Sequence, residues 1–337
     1  MISEATELLT KRQNLNRAQM QSVMEEIMAG RTQTEQIISF LRALGDKGET
    51  VEELTAAVSV MRAHVTKIVT KHKVLLDTCG TGGDKSGTFN ISTVVAFIAS
   101  GCQITVAKHG NRCVSSRCGS ADIFEALGIN INMSKERVEE CLDNIGIAFL
   151  FAPNLHPAMK YAMPARKQIG KRTIFNILGP LSNPAGATNQ LIGVFDKQLT
   201  EPLTRVLVNL GSRHVLVVHG EDGLDEITTT SSTYISEANK GEIKSYKVNP
   251  EDFGIDRAKP KELLGGDATV NAKILLDILS GEKGPKRDIA VLNSAAAIYA
   301  ADQAESIKEA IKLANNSIDS KAALKKLEEL KKFSGNN

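Results

Sequence analysis

Two polar, glycine-rich stretches of this chain contain the residue types that bind phosphate. The first runs from Asp77 to Thr93 and reads DTCGTGGDKSGTFNIST, and the second runs from Lys108 to Ser120 and reads KHGNRCVSSRCGS. Glycine lets backbone N–H groups approach an anion closely, and lysine, arginine and serine add side-chain donors. Two such stretches in succession predict a ligand that carries more than one phosphate group.

A pair of neighbouring carboxylates, Asp225 and Glu226, is the third chemical feature. The pair follows a glycine turn after the strand-like run Val215–Val218. Magnesium binds few protein carboxylates and takes its other ligands from water and substrate phosphate. Most Asp-Glu pairs are solvated surface charge, but the two candidate phosphate loops favour a magnesium site here.

Alternating strands and helices must position these residues. The apolar runs Val74–Leu76 and Ile104–Ala107 precede the two glycine-rich stretches, and Ser92–Ser100 is nearly all apolar or small. They predict a parallel strand–helix–strand unit, whose strands place both stretches at the ligand-binding edge of a sheet. Further strands are predicted at residues 148–151 and 215–218, and further helices at 122–127, 272–279 and 289–301.

The first 72 residues carry only helical periodicity. Apolar residues recur at helical spacing, with Met20, Val23, Met24 and Ile27 as one face. Two capping boxes are predicted, Thr32 with Glu35 and Thr50 with Glu53. These features predict a small helical domain whose apolar faces pack on each other or on a second subunit.

A proline-rich segment from residue 153 to residue 184 interrupts the strand–helix alternation. Insertions of this length are often functional. We expect residues 166–187 to return to the helical domain of residues 1–72, with residues 73–165 and 188–337 as the α/β domain. This places Arg166 in the cleft between domains, where small-molecule sites are common.

Composition and charge exclude several classes of protein. A chain of 337 residues with 42% hydrophobic and 24% charged residues is typical of a globular protein. No apolar run reaches the roughly 20 residues of a membrane span, and a signal peptide is absent, which predicts a cytoplasmic protein without a membrane partner. The net charge of +2 does not indicate a nucleic-acid partner. The five cysteines, an odd number in a chain expected to be intracellular, are predicted to be free thiols. A zinc site is not predicted, because His109, Cys113 and Cys118 match no common zinc spacing.

The order of these motifs resembles the anthranilate phosphoribosyltransferase family from about residue 10 to about residue 330. The resemblance rests on Gly80–Asp84, Asn90–Thr93, Lys108–Arg112, Gly119–Asp122, His156-Pro157, Arg166, Asn176–Pro184 and Asp225-Glu226. Lys-His-Gly-Asn-Arg between such neighbours is its most specific part.

The resemblance implies a fold, a reaction and an assembly. The fold is of the nucleoside phosphorylase/phosphoribosyltransferase type, with a small all-helical domain and a larger α/β domain built on a mainly parallel sheet. The reaction, part of tryptophan biosynthesis, converts anthranilate and 5-phosphoribosyl-1-pyrophosphate (PRPP) into N-(5-phosphoribosyl)anthranilate and pyrophosphate, with Mg²⁺ as cofactor. The assembly is a homodimer joined through the helical domain.

The resemblance also implies site residues. Those for magnesium are Ser92, Asp225 and Glu226, and those for anthranilate are Gly80, Asn111 and Arg166. Those for PRPP are Gly80, Gly83, Asp84, Thr88, Asn90, Ile91, Ser92, Thr93, Lys108, His109, Gly110, Asn111, Arg112, Cys113, Val114, Ser115, Ser116 and Ser120. Cys113 and Cys118 stand where the family more often has serine or another small residue, and Arg117 stands where lysine is common.

The chemistry of such a transfer sets what the residues must do. Cleavage of the anomeric C–O bond develops negative charge on pyrophosphate, which magnesium, Lys108 and loop amides stabilise. The aromatic amine of anthranilate is already a neutral nucleophile, so no general base is assigned.

Two alternatives remain at this point. A pyrimidine nucleoside phosphorylase shares the architecture, although Arg166 and the carboxylate pair fit it poorly. A non-enzymatic nucleic-acid-binding relative requires a basic face, which the near-neutral charge disfavours.

Overall fold

A computed structural model describes residues 1–84, 86–112 and 118–335 of the chain. Its N-terminal part consists of four helices, α1 (Ile2–Thr10), α2 (Arg17–Met28), α3 (Thr34–Lys47) and α4 (Val51–Ala63). Helix α1 packs against α3, and α2 packs against α4. The helical character predicted for this part is confirmed, and α1 is an element that the periodicity did not reveal.

One of the two predicted capping boxes is correct. Thr50 and Glu53 cap α4 reciprocally, with the Glu53 N–H donating to Thr50 Oγ1 over 3.2 Å and the Thr50 N–H donating to Glu53 Oε2 over 2.8 Å. The box at Thr32 and Glu35 is wrong, because α3 begins only at Thr34 and the Gln33 N–H donates to Gln36 Oε1 instead. Thr32 therefore lies one residue too early to cap this helix.

A seven-stranded sheet forms the centre of the larger part of the molecule. Its strands are β1 (Leu76–Gly80), β2 (Val106–Gly110), β3 (Ile147–Phe151), β4 (Asn189–Gly193), β5 (His214–Gly220), β6 (Thr233–Asn239) and β7 (Glu242–Val248). The strand order is β3-β2-β1-β4-β5-β6-β7, with the first five parallel and β6 and β7 antiparallel. The prediction of a mainly parallel sheet is confirmed.

Further helices follow along the chain, and several of them contact the strands of the sheet. They are α5 (Ile91–Gly101), α6 (Ser120–Ala126), α7 (Lys135–Ile145), α8 (Ala152–Leu155), α9 (Met163–Ile169), α10 (Ile174–Leu178), α11 (Thr200–Asn209), α12 (Ala268–Leu279), α13 (Pro285–Ala300), α14 (Ile307–Asp319) and α15 (Ala322–Gly335). Single 3₁₀ turns lie at Pro157–Tyr161, Lys197–Leu199, Pro250–Phe253 and Pro260–Leu263. Within the described ranges, no helix has the length and apolar character needed to cross a membrane.

Two hydrophobic cores lie on opposite faces of the sheet, because successive residues of a strand point to opposite faces. Leu191 and Leu216 point to a core that includes α5 and α13, whereas Ile192 and Val217 point to a core that includes α2, α4 and α11. Helix α9 packs against α3, and α10 packs against α4. The proline-rich segment therefore contacts the N-terminal helices.

Strands β1 and β2 lie about two residues later than the apolar runs predicted. The cause is that both strands contain buried polar residues: Asp77 and Lys108 are at most 1% exposed. Because a search for apolar runs stops at such residues, it placed Gly80 and residues 108–110 in loops, although they are strand residues. Strands β4, β6 and β7 were not predicted.

A buried charged network joins the start of β5 to β6 and to the end of α13. His214 Nδ1 lies 2.8 Å from Asp302 Oδ1, and His214 Nε2 lies 3.1 Å from Glu237 Oε1. The hydroxyls of Tyr246 and Tyr299 donate to Glu237, each over 2.7 Å. Burial alone would lower the pKa of His214, but the two carboxylates outweigh it and the pKa is raised.

We predict a pH-dependent stabilisation from His214. Because its pKa is raised in the folded state, the stabilisation is complete below about pH 6.5 and is lost as the pH rises through the folded value. The difference in melting temperature between the wild type and His214→Gln should therefore be larger at mildly acidic pH than at alkaline pH. A difference that stays constant, or grows as the pH rises, would contradict this.

Candidate active site

Glycines end four neighbouring parallel strands, at the carboxyl edge of the sheet. They are Gly110 on β2, Gly80 on β1, Gly193 on β4 and Gly220 on β5. Gly80 and Gly193 are directly paired in the register of β1 and β4. The missing side chains leave room for other chain segments to approach this edge closely, which is where α/β sheets bind ligands.

The carboxylate pair lies in the space that two of these glycines leave open. A Cβ on Gly193 would lie 1.5 Å from the Asp225 carbonyl oxygen, and a Cβ on Gly80 would lie 2.9 Å from Asp225 Oδ2. The Gly82 N–H donates to Asp225 Oδ2 over 3.0 Å. The structure therefore brings the first glycine-rich stretch and the carboxylate pair together. Sequence analysis did not identify Gly193 as a site residue, because its position depends on strand β4, which was not predicted.

The glycine loop after β1 is tied to the segment after β4. The Thr81 N–H donates to the Gly193 carbonyl over 2.9 Å, and the Phe195 N–H donates to Thr81 Oγ1 over 3.1 Å. Arg172 donates to the Gly83 carbonyl and lies 3.7 Å above the Phe195 ring. Arg172 thus contacts the glycine loop.

The rest of the first stretch leads into the N-terminus of α5. Ser86 Oγ donates to Asp84 Oδ2 over 2.6 Å and lies 3.1 Å from Thr88 Oγ1. Asn90 caps the helix: its Oδ1 accepts from the Thr93 N–H over 3.1 Å and from Thr93 Oγ1 over 2.7 Å. Helix α5, which starts at Ile91, therefore presents a capped N-terminus, where the helix dipole favours anions.

A buried lysine connects three elements of the site. Lys108 is 1% exposed, and its ammonium donates to the Thr78 carbonyl over 2.6 Å and to Ser92 Oγ over 3.2 Å. Burial lowers the pKa of Lys108, while the negative charges of Asp77 and Glu226 act in the opposite direction. Lys108 thus acts on the site through its hydrogen bond to Ser92 and through the electrostatic effect of its charge.

Three carboxyl groups concentrate negative charge at this edge. Burial, followed by the charge of Asp84, raises the pKa of Asp225 to about 7. Burial, followed by the charge of Asp225, raises the pKa of Glu226 well above its usual value, while a hydrogen bond from the Ser92 backbone acts against this. Mutual repulsion of this kind is relieved by a bound cation.

The donor set suits magnesium better than a metal held in a complete protein cage. Within the described ranges, no three His, Cys, Asp or Glu side chains form a ready-made metal cluster. Asp225, Glu226 and Ser92 offer hard oxygen atoms, and magnesium needs only one or two carboxylates when phosphate and water complete its octahedron. The residues present therefore fit this ion.

The second glycine-rich stretch is described in part. Ser120 Oγ and the Ala121 N–H both donate to the Asn111 carbonyl, over 3.4 Å and 3.2 Å. Arg112 is exposed and pairs with Glu125 over 2.7 Å. Four predicted PRPP residues lie outside the described residues, namely Cys113, Val114, Ser115 and Ser116.

Two histidines form a buried pair beside β2. His109 Nε2 lies 3.0 Å from His156 Nε2. Burial, with the charges of His156 and Lys108 in addition, lowers the pKa of His109 to about 3, and burial lowers the pKa of His156 to about 4. Both rings are therefore neutral at physiological pH, and one donates to the other. Sequence alone left their roles open, because the pairing joins residues 47 positions apart.

Arg166 lies on α9 and is half-buried. Its Nη1 is 3.8 Å from Met163 Sδ, and its guanidinium lies 5.7 Å from the centre of the Phe175 ring. Burial lowers its pKa. In the part of the chain that the structure describes, no carboxylate pairs with Arg166. Its fork of N–H donors suits a ligand carboxylate.

Comparison with known proteins agrees with this geometry. Two family patterns match the chain, "Glycosyl transferase family, helical bundle domain" over residues 3–65 and "Glycosyl transferase family, a/b domain" over residues 72–324. The anthranilate phosphoribosyltransferase of Methanocorpusculum labreanum is 52% identical over 99% of this chain and 98% of its own length. The chain belongs to the anthranilate phosphoribosyltransferase family.

Solved structures of the same family superpose on almost the whole chain. The anthranilate phosphoribosyltransferase of Thermus thermophilus has a TM-score of 0.92 at 39% identity, covering 98% of both chains. The Saccharomyces cerevisiae enzyme, described as a complex with PRPP and Mg, has a TM-score of 0.91 at 27% identity, covering 100% of this chain and 98% of its own.

We predict that Gly193→Ala disrupts the site. The new methyl group would overlap the Asp225 backbone, so the carboxylate pair must move away from Gly80 and Gly82. A displacement of about 1 Å can lower activity roughly 100-fold. Gly45→Ala is the control, because a Cβ at Gly45 meets nothing within 4 Å. Steady-state turnover of the family reaction is the measurement, and equal activity of the two variants would refute the placement.

Proposed function

We infer that this chain is an anthranilate phosphoribosyltransferase, which transfers the phosphoribosyl group of PRPP to the amine of anthranilate. The products are N-(5-phosphoribosyl)anthranilate and pyrophosphate, and the step belongs to tryptophan biosynthesis. The observation that carries this function is the contact between the glycine loop and the carboxylate pair, with the Gly82 N–H 3.0 Å from Asp225 Oδ2. A nucleoside phosphorylase that uses free phosphate has less need of such a pair.

The donor PRPP is proposed to bind at the carboxyl edge of β1 and β2. Backbone N–H groups of the glycine loop and of the capped α5 N-terminus suit its phosphate groups, because fixed dipoles stabilise anions without reorganisation. The capping bonds of Asn90 support this role for α5. The contributing residues are proposed to be Gly80, Gly83, Asp84, Thr88, Asn90 to Thr93, Lys108 to Ser116 and Ser120.

Magnesium is proposed to be held by Ser92, Asp225 and Glu226. When bound, the ion supplies positive charge to the pyrophosphate leaving group. The burial and the mutual repulsion that raise the pKa of Asp225 and Glu226 support this role, as does the magnesium described in the yeast relative. Lys108 adds a fixed positive charge and orients Ser92 Oγ from behind.

Anthranilate is proposed to bind on the side of Arg166. The guanidinium clamps the substrate carboxylate, while Asn111 and the Gly80 carbonyl direct the amine towards the anomeric carbon. Correct orientation supplies much of the rate advantage, because the neutral aromatic amine needs no activation.

Assembly and location complete the proposal. The helices of residues 1–72 are proposed to form a homodimer, and residues 166–187 are proposed to belong with them, apart from the α/β domain of residues 73–165 and 188–337. The contacts of α9 with α3 and of α10 with α4 support this division. Cys79, Cys102 and Cys141 are free thiols, which suits the proposed cytoplasmic location.

We predict that the wild type consumes anthranilate only when PRPP and Mg²⁺ are both present. The measurement is the loss of anthranilate fluorescence. Asp225→Ala combined with Glu226→Ala should lower turnover by roughly two to three orders of magnitude, as expected for loss of a main electrostatic stabiliser. Phosphate-dependent release of base from nucleosides by the wild type, without use of anthranilate, would replace this function with that of a phosphorylase.

We predict that Arg166→Ala weakens the use of anthranilate and leaves PRPP affinity nearly unchanged. A charge-assisted hydrogen bond contributes about 1.5–3 kcal/mol, or roughly 10- to 150-fold in affinity. Arg166→Lys should recover only part of the loss, because it keeps the charge but loses the planar fork. The measurement is steady-state kinetics with each substrate varied in turn. An equal loss of affinity for both substrates would show that Arg166 is a phosphate ligand or a structural residue.

A further inference from the structure

A buried asparagine holds the backbone directly after the carboxylate pair. Asn293, on α13, is fully buried, and its Oδ1 accepts from the Ile227 N–H over 2.8 Å. Its Nδ2 donates to the Ile227 carbonyl over 2.8 Å and to the Ile289 carbonyl over 2.9 Å. One side chain thus binds both polar groups of the residue that follows Glu226.

A second buried asparagine holds the other half of the site in a similar way. Asn271, on α12, is 4% exposed, and its Oδ1 accepts from the Asn90 N–H over 2.9 Å. Its Nδ2 donates to the carbonyls of Gly266 and Asp267, over 2.8 Å and 2.9 Å. Asn90 is the residue that caps α5, so this bond fixes the start of that helix.

The segment after Glu226 needs such a partner. Residues 225–228 lie outside the strands and receive no ladder hydrogen bonds, yet the backbone groups of the buried residue Ile227 need partners. A carboxamide carries a donor and an acceptor in one plane, so it can bind an N–H and a C=O together. Such a two-point contact fixes the orientation of a peptide as well as its position.

We propose that Asn293 and Asn271 are positioning residues, each of which sets one half of the donor site. Asn293 positions Asp225 and Glu226 through Ile227, and Asn271 positions the α5 N-terminus through Asn90. Helices α12 and α13 thereby act as the rigid support of the site, one for each half. The inference rests on the proposed binding of PRPP at this edge.

The test compares three buried asparagines, each changed to leucine and to alanine. Asn189 is the matched control: it is fully buried and donates to the Ala300 carbonyl over 2.7 Å, but it begins β4 at the end opposite the site. Leucine keeps the volume and removes the hydrogen bonds. Alanine removes the hydrogen bonds with less crowding, and the alanine variant is used for the test if the leucine variant does not fold.

The first readout is hydrogen exchange of the ligand-free protein, which does not depend on the reaction. We expect Asn293 variants to speed exchange more in residues 225–228 than in residues 86–93, and Asn271 variants to do the reverse. The second readout is steady-state kinetics. We expect kcat/KM for PRPP to fall about tenfold for each, as for one or two lost hydrogen bonds, with KM for anthranilate nearly unchanged. Asn189 variants should lower only the melting temperature.

Several results would overturn the inference. One is that Asn293 variants fold and keep the wild-type kcat/KM for PRPP. Another is that exchange rises equally in both segments for every variant. A third is that the Asn189 variants lose as much kcat/KM as the other variants. An inactive wild type would instead reject the proposed function, while the exchange patterns would still decide whether each asparagine holds its own segment.

Discussion

The compensation of one buried positive charge determines how the site is assembled. The Lys108 ammonium is almost entirely out of water, which is unfavourable unless hydrogen bonds and opposite charges replace the solvent. The Thr78 carbonyl and Ser92 Oγ accept its protons, and Asp77 and Glu226 supply the opposing charge. These groups come from β1, from α5 and from the segment after β5. Solvating one ammonium therefore fixes the relative positions of three elements.

The opposite charge at the same edge is incompletely compensated, which supports the proposed magnesium site. In addition to burial, the charge of Asp84 raises the pKa of Asp225, and the charge of Asp225 raises the pKa of Glu226. Glycines at positions 80 and 193 allow this close approach. A magnesium ion with a polyphosphate ligand relieves the repulsion, since the ion binds carboxylate and phosphate oxygens together. The fold thus holds a buried ammonium behind the site and a crowded pair of carboxyl groups in front of it.

Local signals were predictable from the sequence, and contacts between distant residues were not. Thr50 and Glu53 are three residues apart, and their capping box was predicted correctly. The ends of β1 and β2 were misplaced because Asp77 and Lys108 are polar yet buried, and only contacts with distant residues explain their burial. Gly193 and Asn293 could not be recognised as site residues, since each acts on a segment far along the chain.

The most direct test of this account is a calorimetric titration of Lys108→Met with PRPP in the presence of Mg²⁺. Methionine is similar in volume but removes the charge and both hydrogen bonds, and Lys308→Met, at an exposed position on α14, is the control. A unit charge about 10 Å from a phosphate contributes roughly 1–2 kcal/mol at an effective dielectric constant of about 20, so PRPP affinity should fall roughly tenfold in the Lys108 variant alone. A folded Lys108→Met protein that binds PRPP as tightly as the wild type would contradict the account.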